Sequence, residues 1–344
     1  MDEKEWRTCR FTVNGLVHKV QFNQATIDNL FLPFLRRMTK LQQAARRRIV
    51  VYLAAPPGTG KSTLALMMEK LSMTHDDLAP MQALGLDGFH YHGDYILSHK
   101  IERDGQQIPM SMVKGCPETF DVEHLQEKLA QVKDIDLRWP IYDRSIHDVV
   151  EEVVTVRRPI VLLEGNWLLL GEDRWQRVRS FADYSLFISA DPIMLRERLI
   201  GRKMQGGLSR EAAEKFCEQS DRANVMRVLR KSWPADETWQ LLPDGDYQLK
   251  GKIIPTKLVD RVALWQKPDV MIDNTLLGGV NRRLSATDAG RNYLYENGYV
   301  EGLSVARRSI LKKLYQTGTM SSKAIMETFR LTADELHDIL TKDQ

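Results

Sequence analysis

Between residues 49 and about 250, short and almost wholly apolar runs alternate with longer stretches whose apolar positions recur every three or four residues. The runs 49–54, 82–86, 159–163 and 184–189 are too short for helices and lack a polar face, so they predict strands buried on both sides. The stretches 61–72, 121–133, 191–203 and 209–230 predict helices. Such alternation builds a mostly parallel sheet covered on both faces, a doubly wound α/β core. Upstream, residues 11–22 predict two strands around Asn14-Gly15, a pair that tolerates the positive φ angles of a tight hairpin turn. Thr26 then reads as the cap of a helix carrying Ile27, Leu30, Phe31, Phe34, Leu35, Met38 and Leu41 on one stripe. Trp239–Leu242, the turn Pro243-Asp-Gly-Asp and Tyr247–Leu249 predict a hairpin closing the core. The expected organisation is a hairpin and helix over 1–48, the core over 49–250, and a mostly helical extension over 251–344.

Composition narrows the class only a little. Apolar residues make up 43% and charged residues 28% of the 344, ordinary for a globular chain with a packed core. No stretch approaches the roughly 20 apolar residues that cross a bilayer as a helix, and the charged opening Met1-Asp2-Glu3-Lys4-Glu5 is unlike a secretory leader. Three scattered cysteines lack metal-ligand or redox spacing, so a cytoplasmic protein with reduced thiols and no membrane partner is expected. The net charge of +3 is too small to announce a nucleic-acid binder. Arg46, Arg47 and Arg48 read more simply as cations favoured by a helix C-terminus than as a nucleic-acid patch.

The chemistry begins at Ala55-Pro-Pro-Gly-Thr-Gly-Lys-Ser-Thr63, between a predicted strand and a predicted helix. That string in that context is a Walker A loop with alanine in place of its first glycine. Pro57, Gly58, Thr59, Gly60 and Thr63 shape a loop whose backbone N–H groups turn toward phosphate, and the helix N-terminus adds partial positive charge. Lys61 is expected on the β- and γ-phosphates of ATP, and Ser62 on Mg²⁺. Glu164, at the end of the run Pro159-Ile-Val-Leu-Leu-Glu-Gly165, is placed to hold the same Mg²⁺. No guanine-specific Asn-Lys-x-Asp string is present. Asp87 in Leu84-Gly-Leu-Asp-Gly-Phe-His-Tyr-His92 tips the second strand, expected beside the loop. A carboxylate there can take the proton of an attacking hydroxyl, or simply belong to an Asp-Gly turn.

Over residues 49–242 the chain resembles the superfamily of pantothenate kinase, uridine kinase and phosphoribulokinase, and within it a bacterial branch of nucleoside or fructose-transport-associated kinases. Four motifs carry the resemblance in family order: the loop with Leu-Asp87-Gly-Phe, Lys114-Gly-Cys-Pro-Glu-Thr-Phe-Asp121, Trp139-Pro-Ile-Tyr-Asp-Arg-Ser-Ile-His147 and Leu-Leu-Glu164-Gly. The resemblance implies Asp87 as catalytic base, and Tyr142 and His147 as acceptor contacts. His90 and Lys114 are expected beside them. Arg144 stands where pantothenate kinases have histidine, and reads either as a ligand for an anionic acceptor or as the partner of Asp143 or Asp148. Asp191–Arg210 is the expected lid. Helical spacing puts Arg198 and Arg202 on one face, Arg198 to stabilise charge on the transferred group and Arg202 to bind nucleotide, with Gly206-Gly207 as hinge. Ser220-Asp-Arg-Ala-Asn224 resembles a recurring element of the same branch, with Asn224 on substrate or adenine.

The expected function is therefore an ATP- and Mg²⁺-dependent transfer of the γ-phosphoryl group to a hydroxyl of a small metabolite: sugar, nucleoside or pantothenate-like. The rival is a nucleotide-sensing regulator whose tail binds DNA or a partner. Helices expected at 304–315, 321–329 and 332–341, after a segment of winged-helix flavour near Leu284, leave that open. The acidic start of the third helix, Thr332-Ala-Asp-Glu, would repel phosphates, so a packing or homodimerising tail is expected instead.

Overall fold

A computed structural model describes residues 4–103 and 105–252, together with position 322. The tail helices and the segment near Leu284 lie outside the described residues. One compact unit comprises Met1–Val228 and Glu237–Gly251, and a second comprises Leu229–Asp236 and Lys252–Gln344.

Strands β1 (Trp6–Val13) and β2 (Leu16–Asn23) form the expected antiparallel hairpin, with Asn14 at φ 49° and Gly15 at φ 82°. Helix α1 (Gln24–Thr26), a π-helical turn (Ile27–Phe31) and helix α2 (Leu32–Ala45) run on continuously. Thr26 is not the cap. The Asn23 side chain accepts the Ala25 N–H, while the Thr26 hydroxyl donates to Asp246 at 2.7 Å. Asp246 also accepts from Asn23 and Lys4, each at 2.8 Å, so one buried carboxylate ties the N-terminal segment to the turn around residues 243–246. Of the three arginines after α2, Arg46 is exposed and closes the helix, and Arg47 and Arg48 serve the core. Arg47 pairs with Asp183 at 2.7 Å, and Arg48 donates to the carbonyls of Val132 and Arg158.

The central sheet has the order β12-β11-β10-β3-β9-β4: β3 (Ile49–Ala54), β4 (Met81–Gly85), β9 (Ile160–Gly165), β10 (Tyr184–Ser189), β11 (Glu237–Leu241) and β12 (Tyr247–Lys252). Pairings from β4 through β11 are parallel, and β3 and β9 are buried at every position, which explains their unbroken apolar runs. The strand bearing Asp87 is not beside β3, as expected from sequence; β9 lies between them. Register supplies the connection. Glu164 on β9 stands opposite Leu53 of β3 on one side and Gly85 of β4 on the other.

Helix α3 (Lys61–Thr74) follows the β3 loop, and α4 (Gly93–Ser98) and α5 (Val122–Gln131) come later. Helix α6 (Pro192–Gln205) starts at a strong signal: the Asp191 side chain accepts from Ile193 and Met194, and Pro192 occupies the first turn. The helix expected over 209–230 is three pieces, α7 (Arg210–Phe216), a π turn (Cys217–Asp221) and α8 (Arg222–Lys231). Two hairpins were not anticipated. These are β5 (Lys100–Arg103) with β6 (Gln106–Pro109), and β7 (Leu137–Asp143) with β8 (Asp148–Val156). Pro140, which cannot donate to a ladder, interrupts the β7 pattern and coincides with the register shift between Trp139 and Ile141.

Candidate active site

The loop 55–60 leaves the C-terminal end of β3, where neighbours β9 and β10 lie on opposite sides, the place where a doubly wound sheet opens a crevice. Gly58 and Gly60 take φ 86° and 83°, a conformation that side chains resist. Thr59 donates to the Pro56 carbonyl at 3.0 Å and Thr63 to the Gly60 carbonyl at 2.8 Å. Tyr247, whose buried phenol is pushed up to about 12, reaches the Thr59 carbonyl at 3.4 Å. From the other side Arg198 Nε donates to the Gly58 carbonyl at 2.7 Å. The loop is thus braced from two distant segments.

Ser62 Oγ donates to Glu164 Oε1 at 2.7 Å, and Lys61 Nζ lies 3.9 Å from Glu164 Oε2. Glu164 is 8% exposed. Burial raises its pKa, and nearby Asp87 raises it further against the opposing pull of Lys61, Ser62 and Arg144. Asp87 sits in a 3₁₀ turn (Leu86–Phe89) directly after β4. That turn packs so tightly on β7 that a Cβ on Gly88 would meet the Pro140 carbonyl oxygen at 2.3 Å, so glycine is required for close approach. Asp87 Oδ2 accepts from Asn14 Nδ2 at 3.4 Å, a contact from the tip of the N-terminal hairpin.

A second group of predicted residues gathers beside Asp87. Lys114 Nζ donates to the His147 carbonyl at 3.0 Å and lies 4.9 Å from the centre of the Tyr142 ring. His90 meets Tyr142 edge-on at 5.6 Å and stacks on Phe120 at 3.8 Å. Burial lowers the His90 pKa despite the opposing charge of Asp87. Tyr91 leaves this group to stack on Tyr95, and His92 faces Asp148 and Glu151.

Arg144, Arg198, Arg202, Lys61 and Ser62 line one cavity of about 420 Å³, together with Val13, His18 and Val20 of the N-terminal hairpin. Arg144 has no partner in Asp143 or Asp148. The Asp143 carboxylate accepts from Ser145, and that of Asp148 from the Gly93 and Val149 amides. Asn224 is buried on α8. Nothing in the string itself placed Asn14, His18 or Tyr247 at the site. Asn14-Gly15 announces a turn, and nothing in the string says where the turn lands.

No protein-family model matches the chain. It is 44% identical over 237 residues to the uncharacterised protein YggC of Escherichia coli K12, covering 69% of this chain and 96% of that one. It is 29% identical over 158 residues to the pantothenate kinase of Enterococcus faecalis, 44% of this chain and 48% of the relative. Among solved structures, the crystal structure of a "putative fructose transport system kinase" from Silicibacter sp. TM1040 superposes with a TM-score of 0.51 at 26% identity, over 60% of this chain and 98% of that chain. Loop, sheet order and relatives agree: the chain belongs to the P-loop kinases of the pantothenate and uridine kinase superfamily, phosphotransferases with a hydroxyl group as acceptor.

Proposed function

We propose that this kinase phosphorylates a small hydroxyl-bearing metabolite with Asp87 as the base. The observation that carries the reading is the line from loop to base: Ser62 and Lys61 meet Glu164, and Glu164 stands opposite Gly85 of β4, two residues before Asp87. In this reading the loop amides and Lys61 hold the ATP phosphates. Ser62 and Glu164 present a hydroxyl and a carboxylate side by side, hard oxygen donors of the kind Mg²⁺ takes, so the residues fit that ion. When bound, Mg²⁺ supplies charge neutralisation between the phosphates. Asp87 accepts the acceptor's hydroxyl proton, and Asn14 orients the carboxylate by donating to Oδ2. Arg198 and Arg202 place positive charge where negative charge develops on the transferred group. Tyr142, His147, Lys114 and His90 form the acceptor wall.

Acceptor-dependent ADP release from a metabolite panel tests the reading. Asp87→Asn should abolish stimulation by acceptor and leave ATP affinity within about twofold. Full turnover in that variant removes Asp87 as the base.

A further inference from the structure

Lys61, Arg144, Arg198, Arg202 and His18 line the cavity, and no carboxylate is among its lining residues. Lys61 belongs to the loop, Arg198 is tied to the Gly58 carbonyl, and Arg202 follows one turn later on the same helix. Arg144 arrives from elsewhere. It sits on the turn between β7 and β8, half-buried, two residues from Tyr142 and three from His147. His18 enters the same cavity from the N-terminal hairpin whose tip touches Asp87. Among the described residues, no carboxylate lies within ion-pair distance of the Arg144 or Arg202 guanidinium. Burial first, and then the charge of Arg144, lowers the pKa of both Arg202 and His18, while Asp221 and Asp87 pull that of Arg202 the other way. Cations that repel one another in a partly buried cavity are relieved by an anion.

Three of these cations come from the phosphate loop and the helix above it, and ATP accounts for them. Arg144 and His18 come from the two elements that flank Asp87 on the acceptor side, where a neutral sugar or nucleoside offers a guanidinium no partner of its own kind.

Resting on the kinase reading above, we propose that the acceptor carries an anionic group, carboxylate or phosphate, besides the hydroxyl it presents to Asp87. Arg144, with His18 beside it, binds that group. The reaction itself is unchanged: the acceptor oxygen loses its proton to Asp87, bonds to the γ-phosphorus, and ADP leaves.

The test uses the full-length protein saturated with Mg²⁺ and a non-hydrolysable ATP analogue, titrated calorimetrically with inorganic phosphate in one arm and acetate in the other. The expected result is binding in one arm, weakened roughly 10- to 100-fold by Arg144→Gln and less by Arg144→Lys, with the analogue's own affinity within about twofold of wild type. The arm that binds names the anion. Three results overturn the proposal: no binding in either arm, equal binding to Arg144→Gln, or an equal loss of analogue affinity in that variant, which would give Arg144 to the triphosphate. ADP release with matched pairs, such as ribose and ribose 5-phosphate or glycerol and glycerate, adds a fourth. A neutral member that is turned over while its anion is refused overturns the proposal and leaves the kinase reading standing. If the wild-type protein fails to bind the analogue, the kinase reading falls, and this proposal with it.

Discussion

The two ends of the active site are built differently. The phosphate end is nine consecutive residues, 55–63, using mostly backbone: two glycines with positive φ, hydroxyls bonded back to nearby carbonyls, and a helix N-terminus. The proposed acceptor end is drawn from four separate segments, around Asn14, Asp87, Lys114 and Tyr142–His147, and uses mostly side chains. Phosphate is the same group in every kinase of this kind, so one local conformation suffices to bind it. An acceptor is individual, and its recognition depends on which side chains the fold brings together. The phosphate end should therefore withstand changes at the acceptor end, and the following outcomes measure how separate the two are.

The largest effect is expected for Asp87→Asn, a loss of about 10²- to 10⁴-fold in kcat with ATP affinity unchanged, read by single-turnover kinetics beside nucleotide titration. Parallel loss of ATP binding would erase the distinction between the ends.

Next comes the scaffold that both ends share. Asp183 accepts from Arg47 at 2.7 Å, from Lys133 at 3.1 Å and from the Val50 amide of the loop's own strand at 2.8 Å. Burial alone would raise its pKa, but these partners hold it below the ordinary 3.8. Because the folded value lies below the unfolded one, the stability it contributes is complete above that ordinary value and is lost as pH falls through the depressed one. Asp183→Asn should cost about 3 kcal/mol at neutral pH, and the gap to wild type should close in acid, as followed by urea unfolding from pH 7 to 3. A gap that stays constant with pH would show that the carboxylate charge is not what matters.

Gly88→Ala sharpens the comparison from the acceptor side. Its Cβ would collide with the Pro140 backbone, so the turn bearing Asp87 must shift. A stability loss of about 1–3 kcal/mol is expected. The drop in kcat should exceed any change in ATP affinity. Asn14→Gly, which keeps the positive φ of the turn, is the smallest. Removing one partly buried donor to the Asp87 carboxylate should lower kcat roughly tenfold and leave the melting temperature within about two degrees, as measured by calorimetry. Because glycine keeps the turn, an unchanged kcat in Asn14→Gly would remove the donor's role.

What could be read without a structure follows the same divide. Strands 49–54 and 184–189 were legible to the residue, because strands covered on both faces need unbroken apolar runs. The N-terminal turn was legible because both its residues must tolerate positive φ. The β7–β8 hairpin was not, since Pro140 breaks its alternation. Thr26 misled as a cap because its hydroxyl has a stronger use on Asp246, 220 residues away.

Local sequence was enough for the nucleotide loop, the class of the fold and the carboxylates of the proposed site. Each of these is dictated by conformational or burial preferences that act within a few neighbours. The folded chain was needed to show that β9 lies between the loop and Asp87, that Glu164 spans that gap, that Asn14 touches Asp87 and that Arg144 faces the cavity and not a neighbouring aspartate. Those facts depend on sheet order and on packing between segments far apart in the chain, which local preference does not specify.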